Sequence, residues 1–366
     1  MKTDPANWQS PGIATSELRR ALPSIILSRA GAEVPNSHPL ASEIGDRCSL
    51  RDLAAWASDM KFDPADGPAM NRALNRGISS VVFSEGLEAT GRELIKQTVR
   101  QAERIDLICR PLPQKNLQPV TRSRVNVIGQ RDGEHMQNGE APMMYAVIDQ
   151  QQHRHLARYM DALYITRESV INDDPHVIAE VFREAGRQCA AREWRTVLGL
   201  LESNPEAPPM DGDGGDARPF FSVADGNEIE SVSPPNLTGL SAAVAALRRQ
   251  KGADGRPMNL RPARLIVPAE HEIQARQNLK DADLSDLTVI STTELESSWY
   301  LMANPRQFAA IGLGYLGTPG SQVQTWSLER VPRLPAVFSE GLGYHLHQSM
   351  RPMLLSRRGI VRVELS

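Results

Sequence analysis

The sequence YITRESVINDDPHVIAEVF, residues 164–182, decides the fold, because it leads from a strand-like segment directly into the longest helical pattern of the chain. Asp174 is suited to cap this helix, and Pro175 occupies its first position, where a missing N–H does no harm. Asn204-Pro205 ends the helix, because a proline cannot continue it. At 1.5 Å per residue, a helix over 175–203 is roughly 40 Å long and can form the spine of a domain.

The predicted spine helix carries one apolar stripe of residues spaced three or four apart. The stripe comprises Ile178, Phe182, Ala185 and Cys189, and continues after one step with Ala190, Trp194, Val197 and Leu201. We therefore expect the two aromatic residues, Phe182 and Trp194, to lie on the buried side of the helix.

Before the spine helix the sequence predicts a long, partly flexible hairpin. Residues 124–128 and 143–148 have the character of strands. Between them, Arg131-Asp132-Gly133-Glu134 and Asn138-Gly139-Glu140 are turn signals. The segment 131–140 has no leucine, isoleucine, valine or aromatic residue, so it cannot add to the subunit's own core, and we expect the hairpin to project from the body.

After the spine helix the sequence predicts helices and strands in mixed order. Proline and glycine make 204–219 a loop. Helices are predicted at 237–251 and 269–279, strands at 264–267, 287–291 and 298–302, and strands separated by proline and glycine breaks at 322–365. No regular alternation of strand and helix appears, which indicates an α+β fold.

The first stretch, 1–77, is predicted to be helical in pieces. Ser49 is suited to cap a helix with Asp52 as its capping-box partner, and a short helix runs from Pro68 to Gly77. Polar and proline-containing joints separate these pieces, so we expect an arm or accessory region and not a compact domain. Ser84 is expected to cap the following helix.

Composition excludes several classes of protein. The formal net charge is −3, which is too balanced for a protein whose overall charge drives nucleic-acid binding. The three cysteines, Cys48, Cys109 and Cys189, are widely spaced, which argues against a disulfide framework or a zinc knuckle. No segment has the length and hydrophobicity of a membrane span or a signal peptide, so we expect synthesis in the cytoplasm.

Chemical motifs give no reaction. Gly312-Leu313-Gly314-Tyr315-Leu316-Gly317 matches GxGxxG, but Thr318-Pro319-Gly320 follows at once and forbids the helix that a dinucleotide site needs. His153-Arg154-His155 and His345-Leu346-His347 are potential halves of metal sites, and no carboxylate or thiol pattern completes either. The sequence therefore predicts no catalytic, cofactor-binding or metal-binding residues, and extended elements that need neighbouring subunits to cover them.

Three blocks carry a resemblance to a known family. They are the stretch 164–174, the stretch Gly255-Arg256-Pro257-Met258-Asn259-Leu260-Arg261-Pro262-Ala263-Arg264-Leu265-Ile266-Val267-Pro268, and Ser297-Ser298-Trp299-Tyr300-Leu301 before Asn304-Pro305. In order and spacing they resemble the major head subunits of Mu-like phages and prophages. The resemblance covers roughly 77–364.

The resemblance implies a major capsid protein with the Hong Kong 97-type capsid fold. It implies an N-terminal arm at 77–118, an extended loop at 119–164, and peripheral and axial domains sharing 165–366, with the spine helix at 175–203. Residues 1–76 are then an extension or linker. The implied partners are further copies of the chain in hexamers and pentamers, together with portal, scaffold or protease, and decoration proteins. Packaged double-stranded DNA would be held through non-specific contacts in the lumen of the virion, with no cofactor and no enzymatic activity.

Two segments depart from the family's pattern. Relatives often have a histidine before Gly-Asn where this chain has Ala224-Asp225-Gly226-Asn227, and the usual "D.RG" ending is replaced by Leu355-Ser356-Arg357-Arg358-Gly359. Two other functions stay open: an encapsulin-like nanocompartment shell, and a nucleotide-dependent enzyme built around Gly312 to Gly317.

Overall fold

A computed structural model describes residues 14–44, 48–60, 66–102, 105–118, 120–129, 144–153, 155–208, 210, 216–230, 234–252, 255–318, 324–331 and 341–365, with the backbone alone for 120–129 and 144–153. The helices are α1 Thr15–Arg29, α2 Pro39–Ile44, α3 Leu50–Trp56, α4 Gly67–Ile78, α5 Val81–Gln101, α6 Arg167–Ile171, α7 Pro175–Glu202, α8 Leu237–Arg249 and α9 Glu272–Asp281.

The strands of the described residues form four sheets. They are β1 Arg110–Gln114, β2 Val120–Gly129, β3 Met144–His153, β4 Ala157–Thr166, β5 Glu206–Ala207, β6 Arg218–Pro219, β7 Glu228–Glu230, β8 Pro262–Pro268, β9 Thr288–Thr292, β10 Ser298–Ala303, β11 Ile311–Leu316, β12 Trp326–Arg330, β13 Gly341–Leu354 and β14 Ile360–Glu364. Helices and strands are mixed along the chain, so the predicted α+β fold class is confirmed.

The chain divides into two compact units. Unit 1 consists of Met1–Arg104, Arg158–Ala191 and Trp326–Gln348, and unit 2 of Ile105–Ala157, Arg192–Thr325 and Ser349–Ser366. Two long elements, α7 and β13, therefore have their first part in unit 1 and their last part in unit 2.

The core of unit 1 is built by helices packed against a sheet. Strand β12 pairs antiparallel with the first part of β13, from Trp326 opposite Gln348 to Arg330 opposite Tyr344. The buried side chains come from α1, α3, α5, α7 and these strands, and include Leu22, Ile25, Leu53, Phe83, Leu87, Ile178, Phe182, Tyr344 and Leu346. Burial of these apolar side chains is the main stabilising term of the unit.

The expectation that residues 1–77 form an arm or accessory region and not a compact domain is wrong for the helices that the structure describes there. Helix α1 buries Leu18, Leu22 and Ile25 in the core of unit 1, and each is at most 2% exposed. Helices α3 and α4 cross so closely that a Cβ on Gly77 would lie 1.6 Å from the Ala54 carbonyl oxygen. The sequence contains a signal for this burial, because apolar residues recur at helical spacing at Leu18, Leu22, Ile25 and Ile26. This spacing is better evidence for a packed helix than the polar joints are for a linker.

The predicted cap at Ser84 is also wrong. The helix begins one turn earlier, where the Ser80 hydroxyl accepts a hydrogen bond from the Phe83 N–H. Ser84 is buried inside α5, and its hydroxyl donates to the Val81 carbonyl at 3.0 Å. The other predicted cap is confirmed, because Ser49 and Asp52 form a reciprocal capping box at the start of α3.

Unit 2 contains a five-stranded sheet in the order β7-β14-β10-β8-β9. Strands β14 and β8 run antiparallel to β10, while β9 runs parallel to β8 and β7 parallel to β14. Helices α8 and α9 supply Leu240, Leu247 and Leu279 to a core shared with Leu265, Leu301 and Val363. In the same unit, β11 pairs with β1 and with the last part of β13.

Candidate assembly elements

The spine helix α7 begins where one carboxylate joins three segments of unit 1. Asp173 stands just before the helix with a left-handed φ of 59°. Its Oδ2 accepts a hydrogen bond from Arg29 Nη2 at 2.5 Å, and its Oδ1 accepts one from the Leu50 N–H at 2.6 Å. Arg29 also donates to the Cys48 carbonyl at 2.7 Å. Asp173 thus joins the end of α1 and the start of α3 to the start of the spine helix.

The apolar stripe of α7 is buried as predicted. In unit 1, Phe182 is fully buried, and the Cβ that Gly91 lacks would lie 2.4 Å from its ring. The Phe182 ring also meets Tyr344 edge to face at 5.8 Å. The Tyr344 hydroxyl donates to the Ser84 carbonyl at 2.9 Å, and burial, with a smaller effect of Glu88, raises the pKa of Tyr344. In unit 2, Trp194 is 8% exposed.

The predicted hairpin is present as a sheet of its own. Strands β2 and β3 pair antiparallel, from Val120 opposite His153 to Gly129 opposite Met144. No other strand of the described residues joins this pair. Hydrogen bonds in unit 2 fix the residues next to the open end of the hairpin. His155 Nδ1 is 2.9 Å from the Leu117 carbonyl oxygen, and Arg351 donates to the His155 carbonyl at 2.9 Å. The predicted tip, 131–140, lies outside the described residues.

The GxGxxG sequence does not form a dinucleotide-binding turn. Residues Ile311–Leu316 are the strand β11, in a sheet between β1 and β13. Its glycines allow close packing of side chains: a Cβ at Gly312 would lie 2.3 Å from Leu112 Cδ1, and one at Gly314 would lie 2.5 Å from Met353 Cε. A dinucleotide site needs such a turn to open a helix, so the motif here is explained by packing.

Neither HxH pair completes a metal site within the described part of the chain, where no cluster of three or more His, Cys, Asp or Glu residues could hold an ion. His345 and His347 do lie on one face of β13, with ring centroids 5.8 Å apart, and His347 is 3.8 Å from the Glu329 carboxylate. The side chain of His153 lies outside the described residues. The three cysteines are buried, and none of them is part of a disulfide bond.

The two segments that depart from the family's pattern meet in unit 2. The fully buried Asn227 donates from Nδ2 to the carbonyls of Phe220 at 2.9 Å and Arg357 at 3.0 Å. The guanidinium of Arg357 donates to the carbonyls of Ala207 at 2.9 Å and Arg218 at 3.0 Å. These contacts hold the base of the loop after the spine helix. Sequence reasoning missed this pairing, because 130 positions separate its two sides.

A cavity of about 440 Å³ opens beside this contact. Its lining consists of Ala224, Asp225, Gly226, Ala246, Arg249, Gln250, Lys251, Arg357 and Arg358.

Among the described helices, none combines the length and the apolar character required to cross a membrane.

The comparison with known families decides the class of protein. Residues 152–353, more than half of the chain, match the model of a family described as phage capsid protein. The chain belongs to this phage capsid family. The matched region of the capsid protein includes the spine helix and the stretch 164–174, which is one of the three blocks that carry the sequence resemblance. The predicted capsid family is therefore confirmed, while the finer assignment to Mu-like phages stays a prediction.

Solved structures similar to this capsid protein include a virus-like particle, an encapsulin complex and a phage capsid. A virus-like particle from Pyrococcus furiosus has TM-score 0.48 and 13% identity, over 77% of this chain and 99% of the other. An encapsulin complex from Synechococcus elongatus has TM-score 0.45 and 10% identity, over 70% and 84%. The capsid of cyanophage P-SCSP1u has TM-score 0.44 and 8% identity, over 72% and 88%. No curated protein matches the sequence significantly.

Because the identities are low and the TM-scores modest, membership in the capsid family depends on the family model alone.

Proposed function

We propose that this capsid protein is the major shell subunit of a Mu-like phage or prophage head, assembling through hexamers and pentamers into an icosahedral shell around double-stranded DNA. The family match gives the class, and the hairpin β2–β3 supports assembly. A two-stranded sheet by itself is marginally stable in water, and a third strand or a packing partner is needed to cover it. A neighbouring copy of the chain supplies that partner in a closed shell.

The domain scheme within this proposal follows the Hong Kong 97-type plan. The extended loop at 119–164 contains the hairpin, the spine helix at 175–203 contains α7, and peripheral and axial domains share the rest. Portal, scaffold or protease, and decoration proteins are the further partners, the host cytoplasm is the place of assembly, and catalysis has no role.

The test is the size of the purified protein over a range of concentrations. Light scattering and negative-stain microscopy should show rings or closed shells far larger than the 40.3 kDa subunit. A single species of subunit mass at every concentration would contradict the proposal.

An encapsulin-like shell is the second candidate, supported only by its similarity in fold. Particles purified from the natural host distinguish the two functions, since a phage head contains DNA and a nanocompartment contains protein cargo.

A thermal-shift screen with NAD, NADP and ATP tests the alternative of a nucleotide-dependent enzyme, because a ligand that binds the folded state raises its stability by mass action.

A further inference from the structure

Positive charge is concentrated around the cavity in unit 2, although the whole chain has a net charge of −3. The cations of the lining are Arg249, Lys251, Arg357 and Arg358, and its only acid is Asp225. Arg249 lies at the C-terminal end of α8, where a basic side chain also complements the helix dipole.

The two segments that supply these cations are fixed to each other. Gln250 is 5% exposed, and its side chain accepts from the Gly359 N–H at 2.6 Å and donates to the Ile360 carbonyl at 2.9 Å. The end of α8 and the turn before β14 are thereby held together by a buried amide. Arg249 and Lys251 are the chain neighbours of Gln250, and Arg358 is the chain neighbour of Gly359, so these hydrogen bonds fix the two backbone segments that line the cavity.

Arg357 does not supply charge for a ligand. It donates to backbone carbonyls, as described above, and its Nε lies 3.7 Å from an oxygen of Asp225. Asp225 is further paired with Arg218 at 2.7 Å. Arg249, Lys251 and Arg358 line the same cavity and form no ion pair with any acid among the described residues. The cavity therefore presents three cations to an external anion.

We propose that this cavity binds backbone phosphates of duplex DNA, an inference that rests on the proposed function of enclosing a genome. Arginine, lysine and backbone groups are the usual phosphate contacts. A docking site for another protein surface would contain apolar anchors, because the centre of a protein interface is enriched in aromatic residues and depleted in lysine. This lining has no apolar side chain larger than alanine. Binding by one subunit is weak, and many subunits of a shell act together.

The experiment measures the salt dependence of duplex DNA binding by the full-length subunit. Each phosphate contact contributes about −0.9 to the slope of log K against log salt concentration, so three contacts contribute about −2.7. The variant Arg249→Gln/Lys251→Gln/Arg358→Gln should lose up to that amount of slope between about 50 and about 200 mM salt. The variant Arg249→Lys/Arg358→Lys should keep it, since it retains the charge.

The matched control is Arg20→Gln/Arg72→Gln/Arg76→Gln, which removes the same charge from exposed positions of α1 and α4 in unit 1. It should keep the wild-type slope, and microscopy should show shells for both triple variants. An unchanged slope in the cavity variant would overturn the DNA assignment and leave the proposed function intact. A cavity variant with wild-type melting that alone fails to form shells would also overturn it, because the cations would then bind a neighbouring copy. Wild-type protein that never forms shells would contradict the proposed function itself.

Discussion

Asp173 shows how much of the fold of unit 1 depends on one side chain. It accepts hydrogen bonds from Arg29 and Leu50, while its own backbone has a positive φ. Asp173→Asn keeps a residue that tolerates this φ but removes the charge. Because Arg29 then stays partly buried without its carboxylate, we expect a loss of about 1–3 kcal/mol in the free energy of unfolding, measured by urea denaturation.

The control is an ion pair that lies in solvent. Glu180 accepts a hydrogen bond from Arg187 at 2.5 Å, which holds the pKa of Glu180 below its usual value, yet both side chains are at least half exposed. Glu180→Gln should leave the unfolding midpoint unchanged, because solvent screens exposed pairs. Equal losses in the free energy of unfolding for the two variants would show that the Asp173 contacts stabilise the protein no more than an exposed ion pair does.

At this scale the sequence predicts local contacts and misses distant ones. Ser49 and Asp52 are three positions apart, so their capping box could be read directly. The partnership of Asp173 with Arg29 spans 144 positions and has no local signal. Ser80 and Ser84 both precede apolar residues of the same helix, so the sequence alone does not decide between them, and the structure has the cap at Ser80.

At the scale of elements, the spine helix α7 and α5 approach each other closely at two glycines, Gly91 of α5 and Gly186 of α7. A Cβ on Gly91 would lie 2.4 Å from the Phe182 ring, which is fully buried and cannot move into solvent. Gly91→Ala should cost about 1–3 kcal/mol through overpacking, and Phe182→Ala about 3–5 kcal/mol through the cavity that it leaves. The double variant should lose less than the sum, because each change relieves the other.

Gly199 is the matched control within the same spine helix. A Cβ there meets no atom within 4 Å. Gly199→Ala should be neutral or stabilise the protein, since alanine has the higher helix propensity. Additive losses for Gly91→Ala and Phe182→Ala in thermal melts would contradict the proposed contact between α5 and α7.

Most elements after residue 80 could be predicted because their periodicity is clear and their ends carry proline, asparagine or glycine. The spine helix was expected at 175–203 and is found at Pro175–Glu202. Helix α1 has an equally regular stripe, but Pro23 inside it reads as a break. Its place in the core depends on packing against α5, which the sequence alone does not show.

At the scale of the whole molecule, the N-terminal helices determine whether unit 1 can fold. A chain that lacks residues 1–76 loses α1 to α3 and most of α4, including the fully buried Leu22, Ile25 and Leu53. Each such side chain stabilises by about 1.5–3 kcal/mol, and a domain is stable by only about 5–15 kcal/mol. We expect this truncation to be insoluble, while a chain starting at Ala14 keeps all described helices and stays soluble. A soluble, cooperatively melting truncation would restore the linker interpretation of 1–76.

A change in the loop of the hairpin can test the assembly of the shell separately from the folding of the subunit. Strands β2 and β3 pair only with each other among the described strands. The composition of the segment 131–140 lacks the aliphatic side chains that stabilise a core. Replacing residues 131–140 by a short Gly-Ser turn should therefore leave circular dichroism and the melting temperature of the soluble subunit nearly unchanged, as changes at loop tips usually do.

Shell formation should respond differently to the same deletion. In the proposed head this segment lies over the neighbouring subunit, so its removal takes away a contact between copies while each copy stays folded. Electron microscopy should show fewer closed shells, or shells that dissociate at lower denaturant concentration than those of the wild type. An unfolded variant would place 131–140 inside a domain. Shells of normal number and stability would mean that the hairpin does not join neighbours, and the isolated two-stranded sheet would then need a cover from its own subunit.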